Sequence, residues 1–251
     1  MKIRVLIVAK TYPQPARKGI EVSCTQGVTD QGDWLRLFPV PFRLLGGPQR
    51  FKRYQWIEVQ ATKARSDPRP ESYRIDPDSI RILSDPIPTT NKWEARKALL
   101  YPLLSASIED LGDARKVDGT SLGFIKPRVI ESFVMEPTAP DWTKEQKAKL
   151  AQQDLFYRRP LRPLEKIPFN FKYRYRCDDA RCRGHIMKVN DWEICQAYRS
   201  WRQGYGPEWE GKFRLKFEIE MIEKRDTCFF VGTLSRHPHR WTITGLFYPP
   251  R

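Results

Sequence analysis

The sequence lacks the loops and turns that mark several large enzyme classes. It contains no glycine-rich loop of the Rossmann or Walker type, and no turn that would present a serine nucleophile to a histidine. The stretch Gly119–Pro127, GTSLGFIKP, has two glycines and a lysine but not the order of a phosphate-binding loop, so it predicts a turn. Internal repeats, low-complexity tracts and coiled-coil heptads are absent as well. These absences argue against the common nucleotide-dependent enzymes and against repeat proteins.

Long apolar runs are also absent. The opening stretch Met1–Lys10, MKIRVLIVAK, is too short for a membrane span, which needs about 20 apolar residues, and it has no signal-peptide cleavage site. The five cysteines are an odd number, which argues against a complete disulfide framework. We therefore expect a cytoplasmic protein in a reducing compartment, with no membrane partner.

Acidic residues are in the minority, and this is the strongest feature of the composition. The chain has 45 Lys and Arg residues against 30 Asp and Glu, which gives a formal net charge of +15 and a pI of about 9.7. A basic balance of this size favours binding to polyanions, most often nucleic acid. Charge alone does not separate such a protein from one whose charge only keeps it soluble. Aromatic residues interleaved with the basic ones favour nucleic acid, either DNA or RNA.

Three cysteines and one histidine fall close together in the C-terminal half. They are spaced Cys177-x4-Cys182-x2-His185-x9-Cys195. Thiolates and imidazoles are the ligands that Zn²⁺ prefers, and four of them make a closed tetrahedral structural site. The alternative is a chance grouping of ordinary thiols beside a histidine, because the spacing departs from a standard C-x2-C pair. Cys195 is the weakest of the four ligands, and three other residues could replace it: Asp191, Cys228 and His237.

The pattern of apolar residues predicts an α+β protein in three parts. Short strands joined by turns predict an antiparallel β-barrel-like domain over residues 1–90, OB-like or SH3-like in type. Residues 91–160 predict a helical connector, and residues 161–251 a zinc-containing α+β domain with an antiparallel sheet. The predicted elements include strands at 3–9, 21–28, 34–38, 54–62, 169–176, 213–222, 227–234 and 241–248, and helices at 93–100, 143–156 and 191–203.

Two further segments look like sequence motifs but indicate no activity. They are CTQGVTDQGDWLRLFPVPFR, which begins at Cys24, and DPRPESYR, which begins at Asp67.

One set of candidate nucleic-acid contacts lies in the N-terminal part. Four cations surround Phe51 in a predicted loop, where no strand period directs them inward or outward: Arg43, Arg50, Lys52 and Arg53. Small barrels that bind single strands combine stacking rings with such charges. The alternative is that the rings fill the barrel and the charges form its solvated rim.

A second set lies on the strand that leads into the cysteines. In FNFKYRYRC, Phe169, Phe171, Tyr173 and Tyr175 alternate with polar residues. The polar face carries the three candidate contacts Lys172, Arg174 and Arg176. A half-buried strand with a solvated face would show the same alternation. The sequence nevertheless predicts a cationic strand face beside the zinc loop.

We therefore expect a non-enzymatic nucleic-acid-binding protein with a structural zinc. One alternative is a metal-dependent nuclease that uses carboxylates near Asp191 and Glu220. The run Glu218-x-Glu220-x-x-Glu223-Lys224 matches such a strand loosely, and a charged hairpin face explains it better. Another alternative is a basic accessory subunit that binds an acidic protein partner.

Overall fold

The N-terminal strands close into a barrel around aliphatic side chains. The computed structural model describes residues 1–15, 21–151, 163–235 and 237–251. The strands of the barrel sheet are β1 (Lys2–Lys10), β2 (Gln14–Pro15), β3 (Glu21–Val28), β4 (Trp34–Val40), β5 (Trp56–Lys63), β6 (Ser72–Ile75) and β7 (Arg81–Ile82). Their order is β1-β3-β4-β6-β5, and β5 pairs back onto β1. The predicted barrel-like sheet is therefore confirmed, although its β4–β6 pair is parallel.

Side chains along β1 alternate between two apolar clusters, one inside the barrel and one outside it. Ile3, Val5 and Ile7 point into the barrel core, together with Leu37 and Ile57. Burying aliphatic side chains of this size is worth about 1.5–3 kcal/mol each. The other face of β1 belongs to a different apolar cluster, which joins the barrel to the rest of the chain.

The cluster outside the barrel combines aliphatic residues of β1 with aromatic residues of the C-terminal part. Leu6 and Val8 of β1 pack against Phe124, Phe230 and Phe247 of the C-terminal part. The rings of Phe124 and Phe230 stack with centroids 4.5 Å apart. The barrel is thus held to the C-terminal part by a continuous buried surface.

The two motif-like segments supply the polar part of the same junction. Arg36 is 2% exposed, and its guanidinium donates to the hydroxyls of Ser72 and Ser121 at 3.1 and 2.8 Å. Glu71 accepts from the backbone N–H and the hydroxyl of Ser121 at 2.6 and 2.7 Å. Gln26 donates to the carbonyl of Gly123. A buried charge needs such hydrogen-bond partners. The polar residues of the two segments therefore have a structural role at the junction.

Helices occupy the middle of the chain, as expected. They are α1 (Thr90–Leu100), α2 (Ile108–Asp118) and α3 (Lys144–Ala151), with β8 (Leu104–Ser105), β9 (Leu122–Ile125) and β10 (Val129–Pro137) between them. Thr143 with Gln146 three residues later predicts a capping box for α3. The structure confirms it, since Gln146 N–H donates to the Thr143 hydroxyl at 3.2 Å and the Gln146 side chain accepts from Thr143 N–H at 3.0 Å. The rest of the predicted helix at 143–156 lies outside the described residues.

Asn91, with Glu94 three residues later, is the pattern of a helix N-cap, but α1 does not begin in this way. Asn91, Lys92 and Trp93 have φ between 49° and 63°, which is a left-handed turn. The Trp93 ring lies 5.3 Å from Phe247 and 6.2 Å from Tyr54. Tertiary packing of this indole explains why the local capping preference is overridden.

Two sheets and a helical segment make up the C-terminal part. One sheet has the order β10-β11-β12 and the other β14-β13-β9-β8. The remaining elements are β11 (Phe169–Arg176), β12 (His185–Lys188), α4 (Trp192–Tyr205), α5 (Trp209–Arg214), β13 (Cys228–Leu234) and β14 (His237–Phe247). Within the described residues, no helix is long and apolar enough to cross a membrane.

The predicted strand at 213–222 is wrong. The chain continues from α5 into a π-helix, Leu215–Lys224. Phe213, Phe217 and Met221 are buried on one side of it, at a spacing of four residues. Ion pairs at the same spacing support the helix, since Arg214 bonds Glu218.

Candidate metal centre and cationic face

A tight turn between β11 and β12 brings three of the predicted metal ligands together. Tyr175 of β11 pairs with His185 of β12, so the chain returns beside the point where it left the sheet. Within the turn, Cys182 N–H donates to the carbonyl of Asp179 at 3.0 Å. The Asp179 carboxylate accepts from the Ser107 hydroxyl at 2.7 Å, which fixes the turn to the start of α2.

The fourth group of this centre is a glutamate from α2. Ligand atoms of Glu109, Cys177, Cys182 and His185 all lie within 4.8 Å of one another. Cys182 Sγ is 3.3 Å from His185 Nε2, which in turn is 3.1 Å from Glu109 Oε1. Cys177 is buried and the other three are partly buried. These four residues, which we call the metal centre, could hold a metal ion.

The polar atoms of the metal centre are incompletely satisfied by the protein. Glu109 Oε2 is buried and has no hydrogen-bond partner among the described residues. Burial raises the pKa of the Cys177 thiol to about 12. A bound cation would give the carboxylate oxygen a partner and would displace the thiol protons, since metal binding requires the thiolate form.

Cys195, the fourth ligand expected from the sequence, lies elsewhere. It is 6% exposed on α4 and packs into the apolar core. Its three possible replacements, Asp191, Cys228 and His237, are not in the metal centre either. Glu109 is 68 residues before Cys177 in the chain, and a glutamate in the first turn of a helix is ordinary. The sequence therefore holds no local signal for its role.

The expected cationic strand face is present on β11. Phe171, Tyr173 and Tyr175 are buried, whereas Arg174 and Arg176 on the opposite face are exposed. Two cations on this face have nearby carboxylates. Lys172 lies 2.8 Å from Glu136, and Arg176 lies 2.7 Å from Glu131. The side chain of Arg174 makes no hydrogen bond or ion pair with any described residue.

A fourth cation joins this face from the neighbouring strand. Lys188 of β12 is directly opposite Lys172 in the register, and Ile186 is opposite Arg174. Burial lowers the pKa of Lys188, and the charges of Lys166 and Lys172 lower it further. We call Lys172, Arg174, Arg176 and Lys188 the cationic face. Like charges opposite one another destabilise a sheet, and the Glu136 carboxylate beside Lys172 offsets part of this repulsion.

The structure places the four barrel cations, Arg43, Arg50, Lys52 and Arg53, in different environments. The Arg43 guanidinium lies 2.9 Å from the Glu21 carboxylate, and Arg50 donates to the carbonyls of Arg43 and Leu45. The Arg53 side chain is 9% exposed and donates to the carbonyls of Val8 and Leu246. Backbone carbonyls at a barrel end need donors, which explains why the Arg53 side chain turns inward, whereas Arg50 is exposed. Lys52 is exposed.

The carboxylates of the nuclease alternative are engaged in ion pairs. Glu220 lies 2.8 Å from Lys216 and 3.3 Å from Arg225. Asp191 is buried, caps α4 and accepts from Leu246 N–H at 2.8 Å. These contacts give both carboxylates a structural role in the described part of the chain.

Comparisons with known protein families match almost the whole chain. A family model described as Domain of unknown function (DUF8757) matches residues 104–251. A second, described as Domain of unknown function (DUF8758), matches residues 1–102. A search of curated proteins found no match.

Proposed function

The chain belongs to the family described as Domain of unknown function (DUF8757), and we propose that it is a nucleic-acid-binding protein whose binding strand is held in place by a structural zinc ion. The cationic face contacts backbone phosphates. The metal centre binds zinc through Glu109, Cys177, Cys182 and His185. The positions of these residues in the structure support both the nucleic-acid proposal and the zinc proposal.

The observation that carries the proposal is the pairing of Lys172 with Lys188. The two lysines are direct register partners on one sheet surface, and the exposed residue Arg174 lies on the same face. Outward residues on a strand repeat about every 7 Å, so the face presents a row of separated charges. A polyanion with regularly spaced charges fits such a row, and nucleic acid is the commonest one.

Zinc supports this row by fixing the turn between its two strands. Cys177 directly follows Arg176, and His185 is three residues before Lys188. The segment Cys177–Gly184 offers a core only Ala180 besides its cysteines, so apolar packing cannot hold it. Metal binding supplies the folding energy of this turn and so fixes the register that places Lys188 opposite Lys172.

Salt dependence of binding tests the nucleic-acid proposal. Replacing Lys172, Arg174 and Arg176 together by Ala should weaken binding to all sequences alike and reduce the salt slope of log Kd by roughly two to three. A charge-matched control replaces Arg65, Arg74 and Lys144, which are exposed elsewhere. An unchanged slope in the first variant, or an equal loss in the control, would contradict a specific binding face.

A competitor distinguishes nucleic acid from an acidic protein partner, which the same charges would attract. Polyglutamate should displace bound oligonucleotide only at a large excess if the face is built for phosphates. Displacement at equal charge concentration would favour the accessory-subunit alternative.

Metal analysis tests the zinc proposal. The purified, reduced protein should carry about one zinc per chain, because structural sites bind tightly. Cys182→Ala and Glu109→Ala should each lower zinc content and make the turn sensitive to protease. Cys195→Ala is the matched control and should keep its zinc. Loss of zinc in the Cys195 variant, with retention in the Glu109 variant, would reverse our assignment of the fourth ligand.

A further inference from the structure

The aromatic rings of β11 lie on the side of the sheet opposite to the cationic face. Phe171, Tyr173 and Tyr175 are at most 1% exposed and belong to the apolar core. Phe169 packs against the same core, and Phe133 of the neighbouring strand β10 is buried in it. None of these rings is therefore available to a ligand on the cationic face.

The register of the sheet shows which side chains share the cationic face. Directly paired residues of adjacent strands point to the same side of a sheet. Arg174 is paired with Ser132 of β10 and with Ile186 of β12, which is 54% exposed. Lys172 is paired with Val134 of β10. Among the described residues in register with the cationic face, none is aromatic, so this surface offers cations, aliphatic groups and a hydroxyl.

A single strand depends on protein rings more than a duplex does. Proteins that bind single strands stack the unpaired bases on aromatic side chains, and each stacked base strengthens binding roughly 5- to 150-fold. A double helix keeps its bases stacked on one another and presents its phosphates outward, so charges alone can bind it. The side chains of the cationic face therefore suit a duplex better than a single strand.

The length of the cationic face also favours a duplex. Lys172 and Arg176 are four residues apart on β11, which corresponds to about 13 Å along a strand. Over this length a duplex carries about eight phosphates, compared with about four in a single strand of the same rise. Lys172 and Arg176 have the carboxylate partners Glu136 and Glu131, which a phosphate must replace. The denser charge of a duplex favours this exchange.

We propose that the cationic face binds double-stranded nucleic acid in preference to single strands, through the backbone and irrespective of base sequence. This inference rests on the proposed nucleic-acid-binding function and names its ligand. Duplex DNA and duplex RNA both present such a backbone, and the experiment includes each of them.

Binding of matched oligonucleotides tests the preference. Labelled DNA and RNA 20-mers of one sequence that does not fold on itself are each used as a single strand and as a duplex, with wild-type protein at one salt concentration. Fluorescence polarisation should show at least one duplex bound about tenfold more tightly than its own single strand. Single strands bound as tightly as both duplexes would overturn this inference. If the Lys172, Arg174 and Arg176 triple variant lost that binding, the nucleic-acid proposal itself would stand, whereas no binding of any oligonucleotide would overturn both.

A ring added to the cationic face gives a second test. Ile186→Trp places an indole opposite Arg174, and should strengthen single-strand binding about fivefold or more while changing duplex binding by less than about twofold. Ile219→Trp is the matched control and should change neither, because Ile219 is exposed on the π-helix, which packs against the other side of the sheet through Phe217 and Phe133. An equal gain for single strands and duplexes, or an equal gain in the control, would contradict our explanation of the preference.

Discussion

At the scale of single residues, Asp191 connects the two parts of the molecule. Its carboxylate caps α4 through Glu193 N–H, accepts from Leu246 N–H of β14 and lies 3.4 Å from the buried guanidinium of Arg53. Burial raises the pKa of Asp191 to about 6, against the opposing charge of Arg53. The Asp191 carboxylate is therefore stabilised both by the charge of Arg53 and by two backbone N–H donors.

Removing this carboxylate should destabilise the protein strongly. Asp191→Ala leaves Arg53 as a buried charge without its anion and also removes a helix cap, so we expect a loss of about 3–5 kcal/mol in the free energy of unfolding. Thr143→Ala removes only an exposed cap on α3 and should cost about 1 kcal/mol. Denaturant unfolding measures both values. Equal losses would mean that the buried pair contributes little.

The pH dependence of stability should show Lys10 directly. Its pKa falls from 10.5 in the unfolded chain to about 7 in the fold, so the unfolded chain binds an extra proton between these values. Stability due to this group therefore rises as pH increases from 7 towards 10. Asp191, with a pKa raised from 3.8 to about 6, contributes in the opposite sense between pH 4 and 6.

A difference measurement isolates the lysine. Lys10→Met should be more stable than the wild type at pH 7, and the difference should shrink as pH approaches 10. Melting curves of both proteins across this range provide the check. A constant difference would show that Lys10 titrates normally in the fold.

At the scale of elements, the segment 209–224 gives the sharpest test of the fold. Phe217 is 6% exposed, whereas Leu215 is 49% and Ile219 is 38% exposed. In a strand, all three would share one face. The helix predicts that Phe217→Ala costs about 3–5 kcal/mol, while Leu215→Ala and Ile219→Ala each cost about 0.5 kcal/mol or less. Similar losses at all three positions would favour the strand.

The same segment shows where sequence patterns are ambiguous. In FRLKFEIEMIEK, apolar residues recur every second residue and also every fourth residue, so strand and helix periods are both present. The i,i+4 pairs Arg214–Glu218 and Lys216–Glu220 favour the helix, and they were the available signal. By contrast, β11 has a strict period of two and was predicted with the same bounds, Phe169–Arg176.

Prediction of the metal centre was limited by distance along the chain. Cys177, Cys182 and His185 are local, and their spacing indicated a site, whereas Glu109 reaches them through the packing of α2. Prediction of the barrel cations was limited for another reason. A loop has no sequence period that shows whether a side chain such as Arg53 faces inward. The domain bounds at 90 and 160 stay a prediction.

At the scale of the whole molecule, the barrel and the C-terminal part are joined by both apolar packing and buried hydrogen bonds. Arg36, Gln26 and Arg53 of the barrel all use acceptors that belong to residues after 120. Tyr12 N–H donates to the carbonyl of Asn190 at 2.9 Å, immediately after the strand that begins at the metal centre. The turn of the metal centre, the cationic face and the barrel end are therefore joined through consecutive residues of the chain.

The aromatic junction between the barrel and the C-terminal part has a consequence for any attempt to divide the gene. A fragment ending at residue 102 would expose Leu6, Val8 and Val28 to water. It would also remove two acceptors from the guanidinium of Arg36 and two from that of Arg53. We expect such a fragment to enter inclusion bodies, and to dissolve when residues 104–251 are produced in the same cell. Because of this junction, we expect that the N-terminal part must be produced together with the C-terminal part, even though separate family models match them.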